Sequence, residues 1–466
     1  RLLRVTATDK NYELTTEITL GKGNTGGLLL FYDEKAYAGV ASDGKTFTIY
    51  RNGEKTETMP SDYHKHFHLR LLNRANRVIL SASKDGKSWE ELATDIDVSG
   101  LHHNNYGGFY ALRPALLSAG KGRTTFRNFT YRDVTPQEKD MAAYLMVFHQ
   151  DEDHCLHAAI SRDGYTFTAL NDGKPIIAGD TIADQKGIRD PHIYRGPDGG
   201  FYLAMTDLHI YAQRDGYRDT EWERDGKTYG WGNNRGLVLM KSFDLIHWTR
   251  TNIRFDQMSK EFAQIGCAWA PETVYDPVTG RMMIYFTMRF GTEQNRLYYV
   301  YVNQDFNRIE SIPQILFEYP SGASAIDGDI TPIWNEERQK MEYHLFYVAH
   351  ESGSGIKQAV SDRIDGGYRF DPRWIDFEPV ACEAPNVWKR IGEDKWVLMY
   401  DIFGINPHNF GFVETSDFVH FKNLGRFNEG VMKTTNFRSP KHGAVIHLTQ
   451  EEADRLENYW NGKKQK

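Results

Sequence analysis

The chain has 466 residues, a formal net charge of −7, 13% aromatic residues and 41 glycines. That length exceeds the usual size of a single core, and the composition favours short strands and tight turns, so an all-β protein of two domains is expected. Apart from the cluster Lys463, Lys464 and Lys466 there is no single-sign run, and no apolar run reaches the length of a membrane span. This argues against nucleic acid and membranes as partners.

Residues 1–132 consist of short alternating segments separated by turn signals. A period of two predicts strands with one buried face, and their spacing predicts a β-sandwich. The predicted strands are 12–20, 27–32, 45–50, 67–72, 78–83 and 124–131. The first strands of such a domain are not recognisable in the sequence, so we expect a truncated N-terminus. The polar segment 133–141 has a proline and no apolar period, and is predicted to be a linker.

From 142 to 466 one unit recurs, consisting of a strand that begins with an acidic residue, an aromatic-rich strand, a third strand and a closing turn. The aromatic-rich strands predict the five blades of a β-propeller. They begin at Ala143, Phe201, Met282, Tyr343 and Trp396. The Ala143 unit has no acidic strand before it, whereas GAVIHL at Gly443 is an orphan strand. We expect this C-terminal strand to complete the Ala143 blade and close the ring without a free edge.

Four segments place an acidic residue at the start of an apolar strand. They are GIRDPHIY from Gly187, CAWAPETVYD from Cys267, AIDGDITPIW from Ala325 and CEAPNVWKR from Cys382. The innermost strands of a propeller converge on its axis, so acidic side chains from different blades are expected to face one pocket. Hydrolysis of a glycosidic bond requires such a convergence of carboxyl groups.

These motifs resemble those of glycoside hydrolase family 43, and the resemblance extends from Ala143 to Leu456. It implies that Asp190 in RDPHI is the general base, that Asp327 in AIDGD tunes the pKa of the acid, and that Glu383 in EAPNVWK is the general acid. Three motifs in the family's order form a specific signal. A strand-initial Asp-Pro alone is more often only a turn cap.

An inverting mechanism agrees with these roles. It needs an ionised carboxylate to activate water and a protonated carboxyl group on the opposite face, roughly 6.5–9.5 Å away. Asp190 and Glu383 take those parts. A third carboxylate beside Glu383 would keep its proton on by like-charge repulsion, and Asp327 is assigned that role. Asp329 is its rival, since it lies two residues on and shares the same face in a regular strand.

Further residues are predicted to contact the substrate. In the WAPE segment, Trp269 offers a flat apolar face for a sugar and Glu272 a hydrogen-bond acceptor, although both also suit packing between blades. The stretch 209–235 is longer than a hairpin needs, and we expect Trp231 and Asn233 to shape a subsite, with a plain packing loop as the alternative.

His442 in SPKHGAV opens the closing strand and is expected to look down the axis. The resemblance implies contact with a bound water network or a calcium ion there. No oxygen-rich calcium loop is present in the sequence, so no cofactor is required and a structural calcium ion stays an alternative. Arg438 is expected to steady a carboxylate or a sugar hydroxyl. Cys155, Cys267 and Cys382 lack metal-ligand spacing and are predicted to be buried thiols.

The N-terminal region resembles the lectin-like sandwich, of the concanavalin or jelly-roll kind, that follows the propeller in many family 43 xylosidases. The nearest matches are GGLLLFYDEKAYAGV from Gly26 and FRNFTYRD from Phe126. Its position before the propeller departs from that pattern. It either braces the propeller, which we favour, or binds sugar.

The resemblance implies an inverting exo-glycosidase that releases a terminal pentose, with α-L-arabinofuranose favoured, from plant-type poly- or oligosaccharides. β-Xylosidase, exo-galactosidase and galactofuranosidase activities are alternatives, because pocket shape depends on loops. A non-catalytic carbohydrate-binding propeller is a different class, and the presence of all three carboxylates argues against it. A related retaining family that also has an RDP segment would make Asp190 a nucleophile. Such a substrate implies a periplasmic or extracellular location.

Overall fold

The computed structural model describes residues 1–74, 76–351 and 353–462, so Lys463, Lys464 and Lys466 lie outside the described residues. Strands dominate the described chain, which confirms the all-β prediction. Two compact units are present, Arg1–Pro136 and Gln137–Lys466, and the division falls within the predicted linker 133–141. Among the described residues, no helix has the length and apolar character needed to cross a membrane.

In the described part of the first unit, the strands form two sheets around a shared apolar core. The elements are β1 (Leu2–Arg4), β2 (Asn11–Leu20), β3 (Asn24–Asp33), β4 (Ala36–Ser42), β5 (Thr46–Arg51), β6 (Glu54–Pro60), β7 (His66–Arg74), β8 (Arg77–Ser83), β9 (Glu90–Asp97), α1 (His103–Tyr106), β10 (Arg113–Gly120) and β11 (Thr124–Asp133). One sheet has the order β1-β10-β3-β4-β5-β6 and the other β11-β2-β7-β8-β9. Leu14 and Leu69 of one sheet and Leu28 and Val40 of the other are buried in the shared core.

The second unit continues with strands β12 to β32. They are β12 (Met141–His149), β13 (Leu156–Ser161), β14 (Thr166–Ala169), β15 (Ile188–Arg195), β16 (Phe201–Asp207), β17 (Gly236–Ser242), β18 (Thr249–Arg254), β19 (Ile265–Asp276), β20 (Arg281–Phe290), β21 (Arg296–Val302), β22 (Gln314–Phe317), β23 (Ala325–Asn335), β24 (Lys340–Ala349), β25 (Gly355–Ser361), β26 (Arg369–Asp371), β27 (Glu383–Lys389), β28 (Trp396–Ile402), β29 (Asn409–Thr415), β30 (Lys422–Arg426), β31 (Lys433–Thr434) and β32 (Lys441–Thr449). The helices are α2 (Gly179–Ile182), α3 (Gly226–Tyr229) and α4 (Gln450–Gly462), and 3-10 turns span Glu138–Asp140, Leu170–Gly173, Phe255–Gln257 and Phe262–Gln264.

In its described residues these strands form five sheets, which we number in chain order. Sheet 1 has the order β31-β14-β13-β12-β32, and sheets 2 to 5 are β15–β18, β19–β22, β23–β26 and β27–β30. The C-terminal strand β32 pairs antiparallel with β12, with Met146 opposite Val445. The predicted pairing of GAVIHL with the Ala143 strand is therefore confirmed.

The strands β32, β15, β19, β23 and β27, which we call the inner strands, contact one another in that order, and β27 contacts β32 in turn. They thus form a cycle in which each sheet presents one inner strand to the next. Helix α4, which the sequence analysis did not predict, packs on β12 and β32 and buries Ala453 and Leu456. Its Glu452 forms an ion pair of 2.5 Å with Arg195 of β15.

Candidate active site

Each inner strand carries a β-bulge at the same place. The bulge residue has a positive φ although it is not glycine: Asp190 (49°), Ala270 (47°), Asp327 (53°), Ala384 (57°) and His442 (42°). The pairing register shifts there in every case, and proline or glycine follows. Proline suits this place because it has no N–H group to leave unpaired. The motifs recognised in the sequence are therefore these bulges, which re-aim side chains.

The N–H group of each bulge residue donates to a side chain of the preceding sheet. The bonds join Asp190 to His149 Nδ1 (3.1 Å), Ala270 to Thr206 Oγ1 (2.8 Å), Asp327 to Thr287 Oγ1 (3.0 Å), Ala384 to Asp327 Oδ2 (3.2 Å) and His442 to Asp401 Oδ2 (3.2 Å). Each inner strand is tied to its neighbour at the level of the bulge. This fixes the bulge side chains relative to one another.

Asp190 is held as an ionised carboxylate. Its Oδ2 accepts a hydrogen bond from the Thr206 hydroxyl at 2.8 Å, and its Oδ1 lies 3.3 Å from His442 Nδ1. Burial by itself would raise the pKa of Asp190, but the charged His442, followed by Arg189 and His149, lowers it below its usual range. Asp190, in turn, overcomes the effect of burial on the imidazole and raises the pKa of His442 to about 9. The pair is therefore charged at neutral pH.

Glu383 precedes the bulge of β27 and has a different partner. Its Oε1 accepts a hydrogen bond from Lys441 Nζ at 3.0 Å, and Lys441 also lies 3.1 Å from Asp401 Oδ2. Burial opposes ionisation of Glu383, but Lys441, followed by His442 and Arg189, lowers its pKa. Lys441 and His442 are consecutive residues of β32. One strand thus holds both predicted catalytic carboxyl groups.

Asp327 lies in the same cluster and holds a proton more firmly. Burial raises the pKa of Asp327 to about 7; His442 opposes this rise, and Glu383 and Asp190 add to it. The motifs predict a raised pKa for Glu383. The structure places it on Asp327 instead, because the ammonium group of Lys441 pairs with Glu383.

Asp329, two residues after Asp327 in β23, contacts residues of β27 that follow the bulge. Its Oδ2 accepts hydrogen bonds from the Val387 N–H group at 3.0 Å and from Asn386 Nδ2 at 2.9 Å. Burial raises the pKa of Asp329 to about 7, and neither Glu383 nor Asp190 contributes. The bulge breaks the regular alternation, so Asp327 and Asp329 do not share a face as a regular strand would require. Asp329 links β23 to β27 instead.

The two aspartates should therefore respond differently to substitution. We expect Asp327→Asn to lower kcat by about 10- to 100-fold, the effect of displacing the pKa of a catalytic acid by one to two units. Asp329→Asn should lower the free energy of unfolding by about 1–3 kcal/mol, because it disturbs a buried hydrogen-bonded link, and should leave kcat close to that of the wild type. Kinetics and denaturant unfolding of both variants check this. The reverse pattern would assign the role to Asp329.

The tryptophans predicted to bind substrate lie together. Trp269 precedes the bulge of β19, and its Nε1 donates to the Gly232 carbonyl at 2.9 Å. The Trp231 ring lies 5.4 Å from that of Trp222 and 5.8 Å from that of Trp269, and Trp231 is 59% exposed. Asn233 is fully buried and hydrogen-bonds the backbone of Arg224 and Gly230. It braces the loop and offers no surface to a substrate.

Glu272 and Arg438 were also predicted to contact the substrate. Glu272 is buried, and Tyr285 donates to its Oε2 at 2.8 Å; burial raises its pKa well above the usual range. These contacts agree with the packing role that the sequence offered for Glu272 beside substrate binding. The Arg438 side chain is exposed and, within the described part of the chain, makes no ion pair with a carboxylate. Its carbonyl accepts a hydrogen bond from Gln150.

The calcium ion suggested for the axis does not fit the residues around His442. The imidazole Nδ1 lies 3.3 Å from Asp190 Oδ1, so that nitrogen already has a partner, and calcium takes oxygen ligands. The described residues contain no group of His, Cys, Asp or Glu side chains suited to a metal ion. The three cysteines are free thiols, with Cys267 and Cys382 buried and Cys155 partly exposed, contrary to the prediction for Cys155.

The sequence analysis missed several charged residues of this site. Lys441 holds Glu383 and also pairs with Asp401, and the Arg189 guanidinium contacts Asp151 at 2.5 Å beside the same cluster. The only available signal was position. Arg189 and Lys441 immediately precede the bulge residues of their strands, which is the place that Glu383 has in β27.

Several known proteins are similar to this chain. A family related to glycoside hydrolase family 43 and described as "Probable glycosyl hydrolase domain" matches residues 139–454. An α-L-arabinofuranosidase from Bifidobacterium longum subsp. longum is 25% identical over 193 residues, which are 39% of this chain and only 16% of that enzyme's length.

Solved structures with a similar chain include an endo-arabinase from Bacteroides thetaiotaomicron, with a TM-score of 0.42 and 14% identity over 58% of this chain and 88% of that one. An α-L-arabinofuranosidase from Lactobacillus brevis gives a TM-score of 0.35 and 18% identity over 50% and 71%. The family match covers most of the second unit and includes Asp190, Asp327 and Glu383. The chain therefore belongs to the glycoside hydrolases related to family 43.

Proposed function

We propose that the protein is an inverting glycoside hydrolase that releases a terminal pentose, α-L-arabinofuranose, from plant-type poly- or oligosaccharides. One observation carries the reaction type: adjacent residues of β32, Lys441 and His442, hold Glu383 and Asp190 as separate carboxyl groups, each with its own cation. Two separately held carboxyl groups are what hydrolysis of a glycosidic bond uses, whether it inverts or retains. Inversion is proposed from the resemblance of the three motifs to family 43. The arabinose specificity is supported by the name of the Bifidobacterium relative.

The proposed reaction uses the two groups in one displacement. Asp190 accepts a proton from water as the water oxygen bonds to the anomeric carbon, and Glu383 gives its proton to the leaving oxygen as the glycosidic bond breaks. The lowered pKa of Asp190 suits a base that is always ionised. Lys441 lowers the pKa of Glu383, whereas Asp327 has a pKa of about 7 and holds a proton near neutral pH. We propose that the two neighbouring carboxyl groups share this proton, which Glu383 passes to the leaving oxygen.

The five sheets of the second unit and the two sheets of the first unit support two known architectures. We propose that sheets 1 to 5 are the blades of a five-bladed β-propeller closed by β32, which the cycle of inner strands supports. We also propose that the first unit is a β-sandwich, which its two sheets around one shared core support. A polysaccharide substrate further suggests a periplasmic or extracellular location, which cell fractionation would test.

A panel of aryl glycosides tests the activity. The protein should hydrolyse aryl α-L-arabinofuranosides faster than aryl β-xylosides, β-galactosides and galactofuranosides. Preference for another of these sugars would keep the enzyme and change its substrate. If no glycoside is turned over but the protein is retained on immobilised arabinan or xylan, it is a binding protein and the catalytic proposal fails.

Trp231 supplies a further prediction. A sugar stacked on its exposed ring gains roughly 0.5–1.5 kcal/mol, so Trp231→Ala should raise KM for an arabino-oligosaccharide about two- to tenfold. Because the contact is the same in ground and transition states, kcat should change little. Trp334→Ala, at an exposed tryptophan near the end of β23, is the matched control. Equal effects of the two substitutions, or a fall in kcat alone, would contradict a subsite at Trp231.

A further inference from the structure

Lys441 is a buried cation that no sequence motif indicated. Its side chain is 4% exposed, and its ammonium nitrogen lies 3.0 Å from Glu383 Oε1 and 3.1 Å from Asp401 Oδ2. A lysine in the interior stays charged only where carboxylates compensate for lost water. Both partners are therefore needed to keep this charge in the site.

Asp401 fixes the lysine in place. It is fully buried, lies opposite Glu383 in the pairing of β27 with β28, and accepts the N–H group of His442. If Lys441 moved away, the Asp401 carboxylate would lose its charged partner in the interior, which is strongly unfavourable. The ammonium group is thus a fixed point in the site and not a mobile surface charge.

Glu383 is held by one oxygen only. Lys441 takes Oε1, whereas Oε2 makes no hydrogen bond to any described residue, and the side chain is 23% exposed. We propose that Lys441 is a positioning residue: it holds Oε1 so that Oε2 carries the proton to the leaving oxygen, and Asp401 anchors the lysine. This inference rests on the proposed function, in which Glu383 is the acid.

The charged groups around Glu383 determine whether its pKa rises or falls in each variant. Those that face it are Lys441, His442, Arg189, Asp401, Asp327, His350 and His408. Removing the lysine charge removes the cation nearest to Glu383, so the acid keeps its proton to higher pH. Removing the Asp401 charge has the opposite effect, because Lys441 then acts on Glu383 alone.

The test is the pH dependence of kcat/KM on an arabino-oligosaccharide. Lys441→Met should move the alkaline limb upward by about one to two pH units, Asp401→Asn should move it downward, and Lys441→Arg should restore the wild-type position. The double variant Lys441→Met with Asp401→Asn leaves neither Lys441 nor Asp401 as an unpaired buried charge and serves if either single variant fails to fold. Its alkaline limb should lie between those expected for the single variants.

Lys241→Met is the matched control, since Lys241 is also buried, with its ammonium group 2.8 Å from Asp198, in sheet 2. It should reduce stability without moving the limb. If the wild type is active and the Lys441 and Asp401 variants have the same alkaline limb as the wild type, the positioning role is overturned.

A second readout does not depend on turnover. In protein labelled with ¹³C-carboxyl glutamate, the Glu383 signal is the one that Glu383→Gln removes. Its titration midpoint should rise in Lys441→Met. If the wild type cleaves no glycoside but this midpoint still rises, the proposed function fails and the Lys441–Glu383 coupling stands. If the midpoint is unchanged, the coupling itself is wrong.

Discussion

Glu383→Gln is expected to lower kcat/KM for an arabino-oligosaccharide by about 10²- to 10⁴-fold, the usual contribution of a general acid. The amide keeps the shape of the side chain but carries no transferable proton. An aryl glycoside with an acidic phenol as leaving group needs little protonation, so its loss should be much smaller. Steady-state kinetics on both substrates measure the difference.

Glu393→Gln is the control for this experiment. Glu393 lies in the exposed turn between β27 and β28, in the same sheet as Glu383, and pairs with Lys395 at 3.0 Å. It should leave both substrates unaffected. Equal losses on both substrates for Glu383→Gln would show that Glu383 acts in some way other than as the acid.

Asp190→Asn should lower kcat by about 10²- to 10⁴-fold on every glycoside, whatever its leaving group. The reason is that activation of water is needed in each case, and an amide cannot accept the proton. The substitution also removes the carboxylate that raises the pKa of His442 to about 9, so that pKa should fall. Kinetics and an NMR titration of the histidine ring follow the two effects.

Asp180→Asn, at an exposed aspartate of α2, is the corresponding control and should retain full activity. A loss in Asp190→Asn confined to poor leaving groups would assign Asp190 to leaving-group departure. The contrast between the two carboxyl variants therefore separates the base from the acid.

Much of the strand pattern could be read from the sequence, since alternate burial leaves a period of two, as in β2. Other strands left no such signal. The edge strand β6 (EKTETMP) is almost wholly exposed, and β4 (AYAGVAS) is almost wholly buried. The closing strand was predictable because the repeat lacked one strand at its start and had one too many at its end.

The site was predictable only where a motif marks a bulge. Asp190 and Asp327 are followed by proline and glycine, and those pairs were visible. Lys441 was not, because its partners Glu383 and Asp401 are distant in sequence and a lone lysine usually lies in solvent. The sequence left Glu272 open between substrate binding and packing, because a motif does not reveal where a side chain points once a bulge has shifted the register.

The stereochemistry of hydrolysis tests the central claim most directly. Proton NMR of the first-formed sugar, recorded during cleavage of an aryl α-L-arabinofuranoside, distinguishes the two anomers before they equilibrate. With Asp190 as base and Glu383 as acid, the first product should be the β-anomer, formed with inversion. First appearance of the α-anomer would show retention, make Asp190 a nucleophile and contradict the account.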